Sequence, residues 1–355
     1  MNLDDLSNIQ QIDKQNMLNE IDGLSDQLAA AWALGQTLPD PGSSQGVRQV
    51  VIAGMGGSAI GADLLAAYIA PFCKVPVIVQ RDYGLPSWAR GEETLVIASS
   101  HSGNTEETLD SFDTALKNGC RVVAVCTGGD LADRANKRSV VCWQFPHKGQ
   151  PRAAVGFSFG LLLKLFCRLG LISDQSAEVE SAVAEMKKQQ ASLVASVPAV
   201  HNPAKRYGGQ LVGRWVTVYG AGILAPVARR WKGQLNELAK AGANFEFLPE
   251  ADHNAFAALV NPPDLLMPRT MTIFLRCASD HPRNHLRTEI TRQGFMLEGL
   301  NTDGYEAKGE SPLAQMWTAI HFGDYLAFYL AIAYQVDPTP VDALQGLKAA
   351  LKNAR

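Results

Sequence analysis

At 355 residues, with 46% hydrophobic and 19% charged residues, the chain has the make-up of a folded protein long enough for two domains of roughly 100–200 residues each. That composition excludes a disordered or coiled-coil class. A formal net charge of -3, a pI near 6.2 and the lack of any polybasic cluster give no electrostatic footprint for nucleic acid or anionic lipid, so a small-molecule ligand is expected, with no nucleic-acid or membrane partner.

Residues 1 to about 35 read as one or two amphipathic helices, closed by the turn-forming PDPGSSQG. Their polar, acidic start carries no secretory pattern. RQVVIAG is then a short β-branched run that ends in the glycine-rich GMGGSAIGADLLAAYIA, a strand, a tight turn and a helix. VPVIVQRDYG and TLVIASS read as strands, SGNTEETLDSFDTALKNG as a helix stopped by Gly119, and RVVAVCTGG as a further strand. Strands alternating with helices imply a parallel sheet covered on both faces. FGLLLKLFCRLGLI is broken by Lys164 and Arg168, and YLAFYLAIAYQV is shorter than the roughly 20 residues of a membrane span, so a cytoplasmic protein is expected. The six cysteines show no CxxC spacing and read as reduced core residues.

After a charge-mixed helical segment near 174–195 and the turn-rich VPAVHNP, the same order returns more faintly. RWVTVYGAGILAPVARRWKGQLNELAKAG repeats strand, glycine turn and helix; NFEFLPEADHN and TMTIFLRCASD stand where the second and third strands stood. This is a duplicated α/β unit. The second copy lacks a counterpart of SGNTEET.

Ser100, Ser102, Gly103, Asn104 and Thr105 lie between a buried strand and a helix start, where hydroxyls, backbone N–H groups and the helix dipole favour an anion. Asn104 and Glu107 have capping-box spacing. Such a string can be a plain helix cap, but Gly54, Gly56, Gly57 and Ser58 supply a second turn at the same carboxyl edge of the sheet, which favours a bound phosphate. A dinucleotide fingerprint fits less well, because Ala59 replaces the third glycine, and a nucleotide phosphate loop is disfavoured because no GK[ST] follows. Glu237 on a basic helix and His253 in the PEADHN loop each admit an ordinary surface reading. Together they supply the carboxylate and imidazole that an aldose–ketose isomerisation needs. His281 and His285 read as an ordinary polar loop, since Pro282 opposes a helix there and no carboxylate stands at zinc spacing; neither metal nor cofactor is expected.

GMGGSAIGADL, SSHSGNTEET, QPRAAVGFSFG, RWKGQLNELAK, the HN of PEADHN and VDPTPVDAL, in that order from about residue 46 to the end, resemble the bifunctional phosphoglucose/phosphomannose isomerases of the sugar isomerase (SIS) fold. The resemblance implies an N-terminal helical segment (1–45) and two tandem SIS domains (46–195 and 196–355), each a parallel sheet flanked by helices. It implies interconversion of glucose 6-phosphate and mannose 6-phosphate with fructose 6-phosphate through a cis-enediol. Ser58, Ser100, Ser102 and Thr105 would hold the phosphate, Gly56 and Gly57 would line the site, and Arg152 would assist near the reacting carbons. Glu237 corresponds to the base, His253 to the ring-opening residue and Lys348 to a C-terminal lysine. A homodimer is implied, with His253 contributed across the interface. The family commonly has an aromatic residue where this chain has His101, and an acidic one where it has Ala255. A non-catalytic sugar-phosphate sensor of the same fold is the other reading, disfavoured by the Glu237 and His253 pair and by the lack of an appended module.

Overall fold

A computed structural model describes residues 2–354. Three helices come first: α1 (Leu6–Ile12), α2 (Met17–Asp22) and α3 (Leu24–Thr37). Asp5 starts α1 by accepting from the backbone N–H groups of Ser7 and Asn8. The first sheet follows with β1 (Gln49–Ala53), α4 (Gly56–Ile69), β2 (Val77–Gln80), β3 (Thr94–Ser100) and α5 (Glu106–Lys117). It is completed by β4 (Arg121–Cys126), α6 (Gly129–Lys137) and β5 (Val141–Gln144). All its pairings are parallel, in the order β2-β1-β3-β4-β5. The central strand β3 is buried from end to end, as its unbroken apolar run requires of a sheet covered on both faces.

Helices α7 (Val155–Leu169), α8 (Ser176–Gln190) and α9 (Pro203–Gln210) lead to the second sheet. Its elements are β6 (Trp215–Ala221), α10 (Ala225–Glu237), β7 (Ala243–Leu248), α11 (Pro263–Arg269), β8 (Thr270–Arg276), α12 (Pro282–Leu297) and β9 (Thr302–Glu306). This sheet is also all parallel, in the order β7-β6-β8-β9. Helices α13 (Pro312–Ala333) and α14 (Asp342–Asn353) close the chain. In both sheets the chain leaves the first strand for one side and returns on the other. A crevice therefore opens beyond the carboxyl ends of β1 and β3, and a second beyond β6 and β8.

The two halves share their interior. Every residue of α13 from Leu313 to Ile332 is buried, as expected for a helix apolar all round, and it packs against α8, α9 and α10. Among the described residues no helix is long and apolar enough to cross a membrane. Helix α4 packs on both α7 and α10, and its contact with α10 sets the glycine turn of the first sheet beside the helix that carries Glu237.

Two local readings are corrected. Pro282 does not prevent a helix: it occupies the first turn of α12, where its missing N–H is harmless, and His281 is the N-cap, its Nδ1 accepting from Arg283 N at 3.1 Å. The edge strands β5 and β9 are additional elements that the sequence pattern did not single out.

Candidate active site

The two turns at the first crevice are built by close backbone approach. Gly103 has φ +69°, and a Cβ there would lie 1.8 Å from the carbonyl oxygen of Gly128, so a side chain is excluded on both counts. A Cβ on Gly57 would lie 2.4 Å from the Pro151 carbonyl oxygen. That glycine lets the segment bearing Arg152 rest on the start of α4. Asn104 is not the helix cap that its spacing with Glu107 suggests. Thr105 holds the N-cap position without a side-chain cap bond, and Asn104 Oδ1 accepts instead from Asp130 N at 3.0 Å, tying this turn to the next one along the sheet edge.

The serine hydroxyls at these turns are engaged as acceptors. Ser58 Oγ accepts from His101 N at 3.0 Å, Ser100 Oγ from Gly103 N at 3.1 Å, and Ser102 Oγ from Asn104 N at 3.2 Å. Ser100 Oγ also pairs with Thr105 Oγ1 at 2.9 Å. A hydroxyl whose oxygen already accepts still has its own proton to donate. One proton of the Ser100–Thr105 pair is spent within the pair, and the remaining three hydroxyl protons lie beside a helix N-terminus, an arrangement suited to an oxyanion.

Beside it, between α4 and α10, lies a cavity of about 280 Å3. Gly56, Gly57, Arg152, Arg230, Gln234 and Glu237 are among its lining residues; Ser58, Ser100, Ser102 and Thr105 sit at the adjoining turns rather than in its wall. Arg230, Gln234 and Glu237 recur at four- and three-residue steps and so share one face of α10, while Trp231 and Leu235 are buried in the core. Two bonds anchor the helix. Arg230 Nη2 pairs with the buried carboxylate of Asp324 on α13, and Trp231 Nε1 donates to Ala319 O at 2.8 Å.

Arg152 is the centre of the arrangement. Its guanidinium is 5% exposed, with Nη1 3.5 Å from Glu237 Oε2 and Nη2 donating to the carbonyls of Pro338 at 3.0 Å and Thr339 at 2.5 Å. Burial pulls its proton affinity down, and the Glu237 carboxylate opposes that shift. A first-sheet arginine and a second-sheet glutamate thus meet at the cavity, held by carbonyls of VDPTP. Lys240 Nζ also bonds to that segment, at Asp337 O (2.5 Å).

Neither His253 nor Lys348 is among the residues that line the cavity with Glu237. His253 is exposed at the end of a short 3-10 turn, while its neighbour Asp252 is fixed by Arg287 Nη1 at 2.9 Å and Thr291 Oγ1 at 2.7 Å. Lys348 lies on α14, which buries none of its residues and exposes Leu344, Leu347 and Leu351. Sequence reasoning passed over the cavity residues Arg81, Arg229, Arg230, Lys232 and Gln234. The run RRWKGQ was the available signal: four polar residues of a helix whose Trp231 and Leu235 anchor the opposite face.

Two parallel α/β sheets with a donor-lined crevice, joined through a shared arginine–glutamate pair, define a chain of the SIS class. Residues 200–351 match the bacterial phospho-glucose isomerase C-terminal SIS domain. A bifunctional phosphoglucose/phosphomannose isomerase from Caldicellulosiruptor bescii is 38% identical over 94% of this chain and 98% of its own length. One from Aquifex aeolicus is 32% identical over 86% of this chain and 91% of its own. Among solved structures, the C-terminal domain of glucosamine-fructose-6-phosphate aminotransferase from Francisella tularensis superposes with a TM-score of 0.70, covering 92% of this chain and 97% of that one at 14% identity, a likeness of fold. The chain belongs to the bifunctional phosphoglucose/phosphomannose isomerase family.

Proposed function

We propose that this chain is a cytoplasmic aldose–ketose isomerase that interconverts glucose 6-phosphate and mannose 6-phosphate with fructose 6-phosphate, a reading supported by relatives named bifunctional phosphoglucose/phosphomannose isomerase. The observation that carries the reading is the contact of Arg152 with Glu237 at a cavity bordered by the glycine turn. The phosphate dianion accepts hydrogen bonds from Ser58, Ser102 and whichever of the paired Ser100 and Thr105 hydroxyls does not donate within the pair, with Gly56 and Gly57 allowing close backbone approach. Glu237 carries a proton between C2 and C1 of the open-chain sugar, and the enediolate oxygen charge develops beside the Arg152 guanidinium.

On this reading residues 1–45 support two SIS domains, 46–195 and 196–355, and the site is completed in a homodimer. What supports the dimer is the exposure of His253 and the uncovered leucines of α14, which carries Lys348. An isologous pair buries such surfaces twice. His253 of a second copy then opens the sugar ring. A coupled assay on each of the two aldose phosphates tests the function. Turnover of both is expected; binding without turnover of either would make the chain a sensor instead.

A further inference from the structure

Beside the phosphate turn lies a chain of three titratable groups that the proposed reaction does not use. His101, between Ser100 and Ser102, places Nε2 2.8 Å from His147 Nδ1, and His147 Nε2 lies 3.3 Å from Glu20 Oε2 on α2. The His147 side chain is 8% exposed. Phe145 and Phe157 stack at 5.1 Å and set their rings against the imidazoles. The partners assign the tautomers. A carboxylate only accepts, so His147 Nε2 bears hydrogen, neutral His147 presents a lone pair at Nδ1, and His101 Nε2–H donates to it.

The 147–157 segment that this chain grips also carries Arg152. A second N-terminal side chain holds the same segment. Gln27 on α3 donates to Ala153 O at 2.9 Å and accepts from Gly156 N at 2.8 Å and Phe157 N at 3.3 Å. The N-terminal helices therefore brace the loop between the phosphate turn and Arg152 through polar groups of exact hydrogen-bonding sense.

We propose that Glu20, His147 and His101 form a positioning relay that couples binding of a phosphate dianion at the 100–105 turn to uptake of a proton by the imidazole pair. The proposal rests on the phosphate being held at that turn. Burial, and then the neighbouring His147, holds His101 down to about 4, so its ring is neutral at pH 7. Around the pair, Ser58, Phe145 and Phe157 are uncharged, Lys148 and Arg152 are the cations of the adjoining loop, and Glu20 is the anion in contact. A dianion adds negative charge on the His101 side. Each unit charge ~6 Å away, at an effective dielectric near ~20, is worth about a hundredfold in proton affinity, so the two charges of the dianion together are worth about ten-thousandfold, enough to carry a ring held at about 4 past neutral pH. The incoming proton is shared along His101 and His147 and balanced by Glu20, so the turn gains a cation when the phosphate is present.

Calorimetric titration of the full chain with glucitol 6-phosphate, which has no carbonyl and cannot isomerise, in buffers of different ionisation enthalpy counts the protons exchanged. The wild type should take up more protons at pH 7 than Glu20→Gln or His101→Phe, and Glu20→Asp should restore the uptake. The KM of Glu20→Gln for fructose 6-phosphate should rise about tenfold at pH 7, as for a lost charge-assisted hydrogen bond, with a smaller change in kcat. Its ratio to the wild-type KM should widen from pH 8 to pH 6.5. Equal proton uptake in the wild type and both variants, or a KM ratio flat across that range, overturns the relay. Ser102→Ala run alongside separates the two levels. Unchanged affinity there fails the phosphate site itself, whereas weakened affinity there with unaltered uptake in Glu20→Gln fails the relay alone.

Discussion

Replacing Glu237 with glutamine removes the proposed base while leaving most of its surroundings in place. The Glu237 side chain is 34% exposed but meets, at 3.5 Å, an Arg152 guanidinium that is only 5% exposed, so removing the carboxylate takes a counter-charge from a buried cation. The amide oxygen of glutamine can still accept from Arg152 Nη1, and Arg152 keeps its carbonyl partners at 338 and 339. Unfolding free energy should therefore fall by about 1–3 kcal/mol, a loss the amide hydrogen bond limits. Loss of a general base costs roughly 100- to 10,000-fold in kcat, or about 3–5 kcal/mol of barrier, and a melt separates it from any loss of folded enzyme. Glucose and mannose 6-phosphates differ at C2, and rotation about C2–C3 of a cis-enediol presents either face to one carboxylate. Both activities should then fall together. The assay is Glu237→Gln on each aldose phosphate, with solvent tritium exchange into fructose 6-phosphate and a denaturant melt on the same preparation. A folded variant that still isomerises either sugar, or exchanges the C1 proton at the wild-type rate, would refute Glu237 as the base.

Ser102→Ala with Thr105→Ala should raise KM for both sugar phosphates, each lost charge-assisted bond being worth about 1.5–3 kcal/mol, and activity should survive chelation; an unchanged KM would dismiss the turn as the phosphate site. Mixing Glu237→Gln chains with His253→Ala chains should recover activity, because one site of each heterodimer has both groups intact. No recovery in demonstrated heterodimers would mean that each site is built from one chain. Asp280 is pushed up to about 6, first by burial. An acid raised above its ordinary 3.8 favours the folded state most below about pH 4 and loses that contribution as pH rises through 6. Asp280→Asn should accordingly stabilise the chain above pH 6 by up to about 3 kcal/mol and show no gain near pH 4, read from urea midpoints at both pH values. A gain that does not depend on pH would contradict this.

The architecture is legible in the sequence where one physical signal dominates. TLVIASS is β3 from end to end because a central parallel strand needs an unbroken apolar run, and Gly119 follows α5 with φ +70° because an αL residue ends a helix cheaply only as glycine. VCWQ and TDGYE lack both signals, being short edge strands with polar positions, and they become strands through their neighbours. The candidate site is legible in part. Glycines and hydroxyls at strand ends announce an anion turn, but Arg152 and Glu237 are 85 residues apart and meet through the packing of α4 on α10, which no local pattern encodes.

The duplication explains why one crevice keeps the anion turn and the other does not. At the carboxyl ends of β6 and β8 the second crevice has its own glycine turn, with Gly222 at φ +48°. A Cβ on that glycine would lie 3.0 Å from Asp280 Oδ1, so the chain's own carboxylate stands against the second turn. Asp280 Oδ1 is buried without a hydrogen-bond partner, and Ser279 on the same loop is tied to Gln315 through both its N–H and its hydroxyl. A dianionic ligand entering there would meet a carboxyl group and a serine already committed to the core, whereas at the first crevice it would meet hydroxyl protons beside a helix start. On the proposed reading the second unit, relieved of phosphate binding, presents the far end of α10 to the ligand of the first. A duplicated fold would thereby yield one site with two differentiated walls, an anion-holding wall from the first sheet and a carboxylate-bearing helix from the second.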